Sequence, residues 1–239
     1  MSPSGTRAVA LCALLAAILP LLAFVAFAIA YDFDVGRLAD LPSIVGTDRS
    51  STVRVAGLLD MSAYLVVAPV VIYLHRRLRG RSPELIGLLT FCGLAYVSLG
   101  SLGGATFATV APPLIDDGSD AARVTFAAFA TFVTVTIWST LESIFLGVWL
   151  LGINRLVRPE RRGLGTLGLA AGVGALLSAA RSGLTGLSVA DLSGPIDVVV
   201  VGLLGLYVPW LAWLGFQLLR ESRNAIGEGP PQADGLAVR

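Results

Sequence analysis

One acidic residue lies near the middle of a long apolar stretch of the sequence. Glu142 is set within the run from Ala121 to Leu156, which is long enough to cross a bilayer as one helix. A carboxylate at bilayer depth is energetically costly, so it has to face other helices or a wet cavity. Glu142 is therefore the first candidate for a functional residue, as a ligand-binding group, a proton carrier or a general acid.

Regular α-helical spacing predicts which side chains accompany Glu142. Residues three, four and seven positions apart share a face of an α-helix. The apolar or hydroxyl side chains expected on this face or next to it are Trp138, Trp149, Phe145, Leu146, Thr134, Ser139 and Ser143. Two interpretations stay open. Glu142 binds a small, largely apolar or cationic molecule or takes part in a proton-coupled step, or it is a neutral acid hydrogen-bonded across helices.

Two further charged residues lie at the edges of apolar stretches. Asp60 is near the beginning of the second stretch, and Arg181 follows the fifth. Both are expected in the outer half of the membrane, where they could pair with each other or reach the interface. The predicted ligand-binding residues are Glu142, Trp138, Trp149, Ser139, Asp60 and Arg181, and the catalytic candidates are Glu142 and Asp60.

The acidic turn Asp116-Asp117-Gly118-Ser119-Asp120 has the DDxxD spacing with which prenyl transferases hold magnesium. Asp116, Asp117 and Asp120 are therefore weak metal-site candidates, although Asp120 is equally well explained as the N-cap of the next helix. The chain has one histidine and two cysteines, which is too few for a bis-histidine haem or a typical zinc site. It has no lysine for a Schiff base. No cofactor is predicted.

Composition indicates a membrane protein. Of 239 residues, 55% are hydrophobic and 14% are charged, and the mean hydropathy is +0.80. Such a chain has too little polar surface for a soluble globule. A net charge of +1 gives no electrostatic reason to expect nucleic acid as a partner.

Hydropathy predicts an all-α bundle of six membrane spans, which are numbered here in chain order. Their expected limits are 8–30, 55–75, 84–110, 121–156, 164–181 and 195–219. The first span exceeds the usual length of a signal-peptide core, so we expect it to be retained. Residues 31–54 are expected to include a short surface helix or lid, and residues 224–239 to form a disordered tail. Pro112 and Pro113 are expected to end the third span.

Arginines predict the orientation of the bundle. Twelve of the 17 lie at the amino terminus, in the loops 76–81 and 155–162, and in the carboxyl tail. By the positive-inside rule these segments and both termini are cytoplasmic. Glycine pairs four residues apart, Gly100 with Gly104 and Gly168 with Gly172, predict that spans three and five pack closely against other helices.

Two stretches of the chain carry a resemblance to a known family. One begins at Gly57-Leu58-Leu59-Asp60 and runs into Ser82-Pro83-Glu84-Leu85, and the other comprises 146–152 followed by the basic loop and the Leu-Gly helix start of 158–167. Together they resemble an uncharacterised bacterial family of six-span membrane proteins, a domain of unknown function. The resemblance implies the same six-helix layout, and it implies no activity and no functional residues.

Three hypotheses for function follow from these observations. The first is a non-enzymatic, multi-pass protein of the bacterial plasma membrane that binds or moves a small molecule or lipid around Glu142. The second is a membrane-embedded enzyme that acts on an apolar lipid or terpenoid by acid catalysis, with Glu142 or Asp60 as the acid. The third is a structural or regulatory subunit that forms a homo-oligomer or joins another membrane protein.

Overall fold

The computed structural model describes residues 2–34, 36–37, 40–186 and 195–227. These residues are almost entirely helical and contain no β-strand, so the predicted all-α six-helix bundle is confirmed. Each of the six spans is long and apolar enough to cross a membrane. The helices of spans one to six are Pro3–Ala30; Ser50–Leu65 and Ala68–Leu78; Pro83–Asp117; Asp120–Thr131, Phe132–Glu142 and Ser143–Val157; Arg162–Gly186; and Pro195–Gly205 and Tyr207–Gly227.

The outer surface of the bundle is apolar. Large hydrophobic side chains are exposed along several spans, among them Leu15, Phe24, Phe91, Val124 and Phe216. In water such a surface would be unfavourable, but lipid tails solvate it. The chain is therefore a multi-pass membrane protein, with six spans among the described residues.

Two spans are interrupted by proline. Span two breaks after Leu65 and span six breaks after Gly205. Each break comes four residues before a proline, Pro69 or Pro209. A proline has no N–H to donate to the carbonyl four residues earlier and its ring clashes with that carbonyl, which ends the first helical segment.

The helix of span three continues through Pro112 and Pro113 and ends at Asp117, so the prediction that these prolines stop it is wrong. Pro112 and Ile115 are buried there, and the Ile115 carbonyl accepts a hydrogen bond of 2.9 Å from the backbone N–H of Gly46. Tertiary contacts thus hold the last turn in helical form.

Three other boundaries differ from expectation. The N-cap of span four is Ser119, whose Oγ accepts a hydrogen bond of 3.1 Å from the N–H of Ala122, so the assignment of Asp120 as the cap is wrong. Span six continues to Gly227, four residues into the stretch predicted to be disordered, and 228–239 lie outside the described residues. Between spans one and two, a 3₁₀ turn forms at Leu41–Ile44.

Glycines allow close packing in spans three and five, as predicted. A Cβ added to Gly104 would lie 2.6 Å from the backbone nitrogen of Met61 in span two, so only glycine permits this approach. Gly168 in span five makes room for the side chain of Asn154 in span four, which accepts a hydrogen bond of 2.8 Å from Trp210 Nε1. Spans three and five thus pack against spans two and four respectively.

Span four contains a π-helix from Phe132 to Glu142. Its widened turns are visible in the side-chain hydrogen bonds. Thr140 Oγ1 donates to the carbonyl of Val135 at 2.8 Å, and Ser143 Oγ donates to that of Trp138 at 3.1 Å, each five residues back rather than four. The α-helical spacing assumed for residues 138–142 is therefore wrong, and Glu142 is the last residue of the π segment. Such segments are rare and are frequent at functional sites.

Candidate functional site

A cavity of about 540 Å³ lies between spans one, two, three, four and six. Its volume is in the range typical of small-molecule binding sites. Most of its lining residues lie towards the middle of their spans, which places the cavity inside the bilayer. The residues that line it are Ala16, Pro20, Leu21, Phe24, Asp60, Ala63, Tyr64, Val67, Tyr96, Glu142, Leu146, Val201, Leu204, Gly205, Tyr207 and Val208.

Glu142 lies in the wall of this cavity and is only 7% exposed. Its carboxyl group faces Tyr64 of span two, and the Tyr64 hydroxyl lies 3.0 Å from both Oε1 and Oε2. One hydroxyl proton is therefore shared between two acceptors. Most of the hydrogen-bonding capacity of the carboxyl group is left to whatever occupies the cavity.

Gly100 of span three makes room for the ring of Tyr64. A Cβ at this position would lie 2.1 Å from Tyr64 Cε1 and 2.2 Å from Cδ1, far inside van der Waals contact. The glycine thus lets the tyrosine ring lie flat against span three while its hydroxyl reaches Glu142. The glycine spacing predicted for helix packing also positions a group of the site.

Asp60 lies one helical turn before Tyr64 and brings a second carboxyl group to the cavity. It is close enough to Glu142 for the two groups to interact electrostatically. Asp60 Oδ2 is buried and has no hydrogen-bond partner within the described ranges. A buried acceptor without a partner is unfavourable, so this oxygen is a natural anchor for a donor group on a ligand.

Three tyrosines complete the polar part of the cavity wall. The rings of Tyr64 and Tyr96 meet edge to face with centroids 5.3 Å apart, and Tyr96 and Tyr207 meet in the same way at 5.9 Å. The hydroxyl of Tyr207 is buried and approaches that of Tyr96. The wall thus combines aromatic rings with hydroxyl groups that have spare capacity.

The cavity opens sideways, between span one and the first helix of span six. Leu21, Phe24 and Val201 line it at this edge, and they are 54%, 67% and 64% exposed. All three are apolar and lie within membrane spans, so the surface around the opening faces lipid tails. We call this opening the lateral mouth.

Trp138 and Ser139 are not among the residues that line the cavity. Trp138 instead stacks on Phe107 with ring centroids 5.4 Å apart, in a second aromatic cluster that contains Phe107 and Phe126. Gly103 gives it room, since a Cβ there would lie 2.2 Å from Trp138 Nε1. Trp138 thus packs against Phe107 rather than at the cavity, although it precedes Glu142 by only four residues.

Trp149 lies behind the cavity rather than in its wall. It is fully buried and stacks on Tyr96, with ring centroids 6.4 Å apart, and it contacts Trp210 edge to face. Arg181 is likewise not a lining residue, and no ion pair joins it to Asp60, although the structure describes both side chains. The cavity therefore brings together Glu142 and Asp60 of the predicted set, and not Trp138, Trp149, Ser139 or Arg181.

The acidic turn before span four does not gather its carboxylates. Asp117 Oδ1 accepts a hydrogen bond of 3.1 Å from the N–H of Ser119, and Asp120 begins the following helix. Across the described ranges, no group of three or more His, Cys, Asp or Glu side chains could hold a metal ion. Asp117 thus has a local structural role in the turn, and Asp116, Asp117 and Asp120 are not gathered into one group.

Sequence reasoning missed the tyrosines of the site. Tyr64 follows Asp60 by four residues, which places both on one face of span two. That spacing was a usable signal. Tyr96 and Tyr207 lie in other spans, and only the packing of the bundle shows that they meet at one cavity.

Comparison of the chain with protein-family models, curated proteins and solved structures gives no match. The resemblance to an uncharacterised six-span family stays a prediction. Function is therefore argued from the site itself.

Proposed function

We propose that this protein binds a small, largely apolar molecule inside the membrane, in the cavity whose wall contains Glu142. The observation that carries the proposal is the cavity itself, about 540 Å³ in volume, with a buried carboxyl group in an otherwise mainly apolar wall. Binding sites for small molecules have this composition, in which apolar surface supplies affinity and a few polar groups fix orientation.

The hydrogen bonding of the two acids supports a ligand rather than a purely structural role. Tyr64 provides one donor for Glu142, and Asp60 Oδ2 has no partner within the described residues. A purely structural acid is expected to have its acceptors satisfied by neighbouring helices, since an unsatisfied group inside a protein costs about 1–3 kcal/mol. Two acids with spare acceptors at one cavity are better explained if an occupant supplies donors.

The proposal is tested by identifying what the protein carries. Wild type and Glu142→Gln are purified under mild extraction, and small molecules released from each are analysed by mass spectrometry. We expect a defined compound with the wild type that is strongly depleted in the variant. Glu84→Gln, which changes an exposed acid at the start of span three, is the matched control and should retain the compound.

Bulk lipid alone in both samples would contradict the proposal. In that case the role of Glu142 would be structural, as the acceptor of the interhelical hydrogen bond from Tyr64. A compound retained equally by wild type and Glu142→Gln would show a ligand but would remove Glu142 from its site.

Acid catalysis on an apolar substrate stays an alternative prediction. In that mechanism Glu142 or Asp60 would protonate the substrate, and aromatic faces would stabilise a developing cation. The aromatic residues expected beside Glu142, which are Trp138, Phe145 and Trp149, do not line the cavity. The rings that do line it are those of Phe24, Tyr64, Tyr96 and Tyr207, so the enzyme hypothesis would have to use them.

A further inference from the structure

We infer that the occupant of the cavity is a lipophilic amine that enters from the bilayer through the lateral mouth. The inference rests on the proposed function and names the chemical class of the ligand and its route. Its head is an amino group bound beside Asp60, and its body is an apolar chain or ring system of the kind that dissolves in lipid.

The charge of the wall selects a donor-rich, cationic head. Two carboxyl groups and three tyrosine hydroxyls line the cavity, whereas the described residues that line it include no arginine or histidine. A carboxylate in a low-dielectric site is stabilised by an opposite charge that also donates hydrogen bonds. An ammonium group does both, and it would satisfy Asp60 Oδ2, which no described residue satisfies.

Aromatic rings reinforce this preference. Tyr64, Tyr96 and Tyr207 line the cavity on the same side as the acids, and their rings pack edge to face on one another. Tyrosine faces attract cations within about 6 Å of the ring centroid. An alcohol of the same shape would make the apolar contacts and would lack both the charge and the extra donors.

The route follows from the lateral mouth. Leu21, Phe24 and Val201 form an exposed apolar edge, and all three lie within candidate membrane spans. An amphiphile dissolved in the membrane reaches this edge directly. Gly205 lines the cavity near the mouth, and a Cβ added to it would meet no atom within 4 Å, so open space lies beside it.

The head group is tested with a matched pair of probes, radiolabelled dodecylamine and dodecanol, which share one apolar chain. Binding to the full-length protein in lipid nanodiscs is measured by scintillation proximity, and the signal from empty nanodiscs of the same lipid is subtracted to remove the probe dissolved in the lipid. We expect the wild type to bind the amine at least about tenfold more tightly than the alcohol, as for a charge-assisted hydrogen bond. In Asp60→Asn this preference should be lost.

Equal binding of the two probes by the wild type would overturn the amine assignment. The proposed function would still be tested separately, by the mass spectrometry of compounds released from wild type and Glu142→Gln. An amine preference that persists in Asp60→Asn would remove Asp60 as the anchor and overturn the inference as well.

The route is tested with two glycines of the same helix. Gly205→Phe adds a ring in open space beside the cavity, and Gly202→Phe adds one a turn earlier at a position that also has no atom within 4 Å but does not line the cavity. We expect Gly205→Phe to reduce dodecylamine binding severalfold and Gly202→Phe to leave it at the wild-type level. Equal binding by all three proteins would show that the probe does not pass or occupy this mouth.

Discussion

The hydroxyl of Tyr64 lies 3.0 Å from each carboxyl oxygen of Glu142 and thereby joins span two to span four inside the membrane. This contact fixes the acid at the edge of the cavity and leaves most of its acceptor capacity open. It is both an interhelical bond and part of the candidate site. Variants should therefore separate its structural contribution from its contribution to binding.

Tyr64→Phe removes the donor and leaves the ring. We expect the free energy of unfolding to fall by about 1 kcal/mol, the upper range of polar contacts measured between membrane helices. The measurement is unfolding in SDS, carried out as a double-mutant cycle with Glu142→Gln. Additive effects of the two changes would contradict the contact. Tyr73→Phe is the control. It changes a buried tyrosine in the second helix of span two and should show no coupling to Glu142→Gln.

Gly100→Ala places a methyl group where the Tyr64 ring now lies. Overpacking of this kind lowers the free energy of unfolding by about 1–3 kcal/mol, and displacement of the ring should weaken ligand binding as well. Gly87→Ala is the matched control in span three, since its Cβ would meet no atom within 4 Å. There alanine is the better helix former, so we expect equal or higher stability. Similar losses in both variants would argue against a specific role for Gly100.

Asp60→Leu should separate stability from binding. Because Asp60 Oδ2 is buried without a partner in the part of the chain described, replacing the carboxyl group by an apolar one of similar size should raise the free energy of unfolding by about 1 kcal/mol or more. Binding of the ligand should be lost at the same time. Unfolding in SDS and probe binding measured on one preparation test both outcomes. A large loss of stability would show that Asp60 has a structural partner.

Gly168→Ala should disturb the contact between spans four, five and six. Its Cβ would lie 2.1 Å from Asn154 Nδ2, and Asn154 also accepts the hydrogen bond from Trp210. We expect a loss of about 1–3 kcal/mol in unfolding free energy, together with a change in tryptophan fluorescence as Trp210 loses its partner. Gly183→Ala in the same span meets no atom within 4 Å and is the control. An unchanged emission spectrum for Gly168→Ala would contradict the prediction.

Hydropathy was sufficient to predict the six-span architecture. The six spans are each about 20 or more apolar residues long, and in lipid a helix is the structure that satisfies the backbone within one segment. The position of Glu142 inside span four followed directly. Proline was a weaker guide, since Pro69 and Pro209 interrupt their spans whereas Pro112 and Pro113 do not. Tertiary contacts around Ile115 decide the difference.

The composition of the site depended on backbone geometry that periodicity does not encode. Span four contains a π-helix at Phe132–Glu142 that the sequence pattern did not reveal, and Trp138 packs against Phe107 rather than at the cavity. Asp60 and Tyr64 could be placed on one face from their spacing, but that this face meets Glu142 follows from how spans two, three and four pack. Gly100 shows the same limit, because its four-residue spacing predicts close approach without naming Tyr64 as the neighbour.

The lateral mouth also determines which ligand concentration governs binding, that in the bilayer or that in water. A molecule that reaches the cavity through lipid is sampled at its concentration in the bilayer, which exceeds that in water by its partition coefficient. The half-saturating concentration in the aqueous phase should therefore fall as the chain of a ligand is lengthened, even where the added carbons touch nothing in the cavity. Each buried CH₂ favours the membrane by about 0.8 kcal/mol. The surrounding lipid acts as a reservoir that concentrates the ligand before the protein selects it.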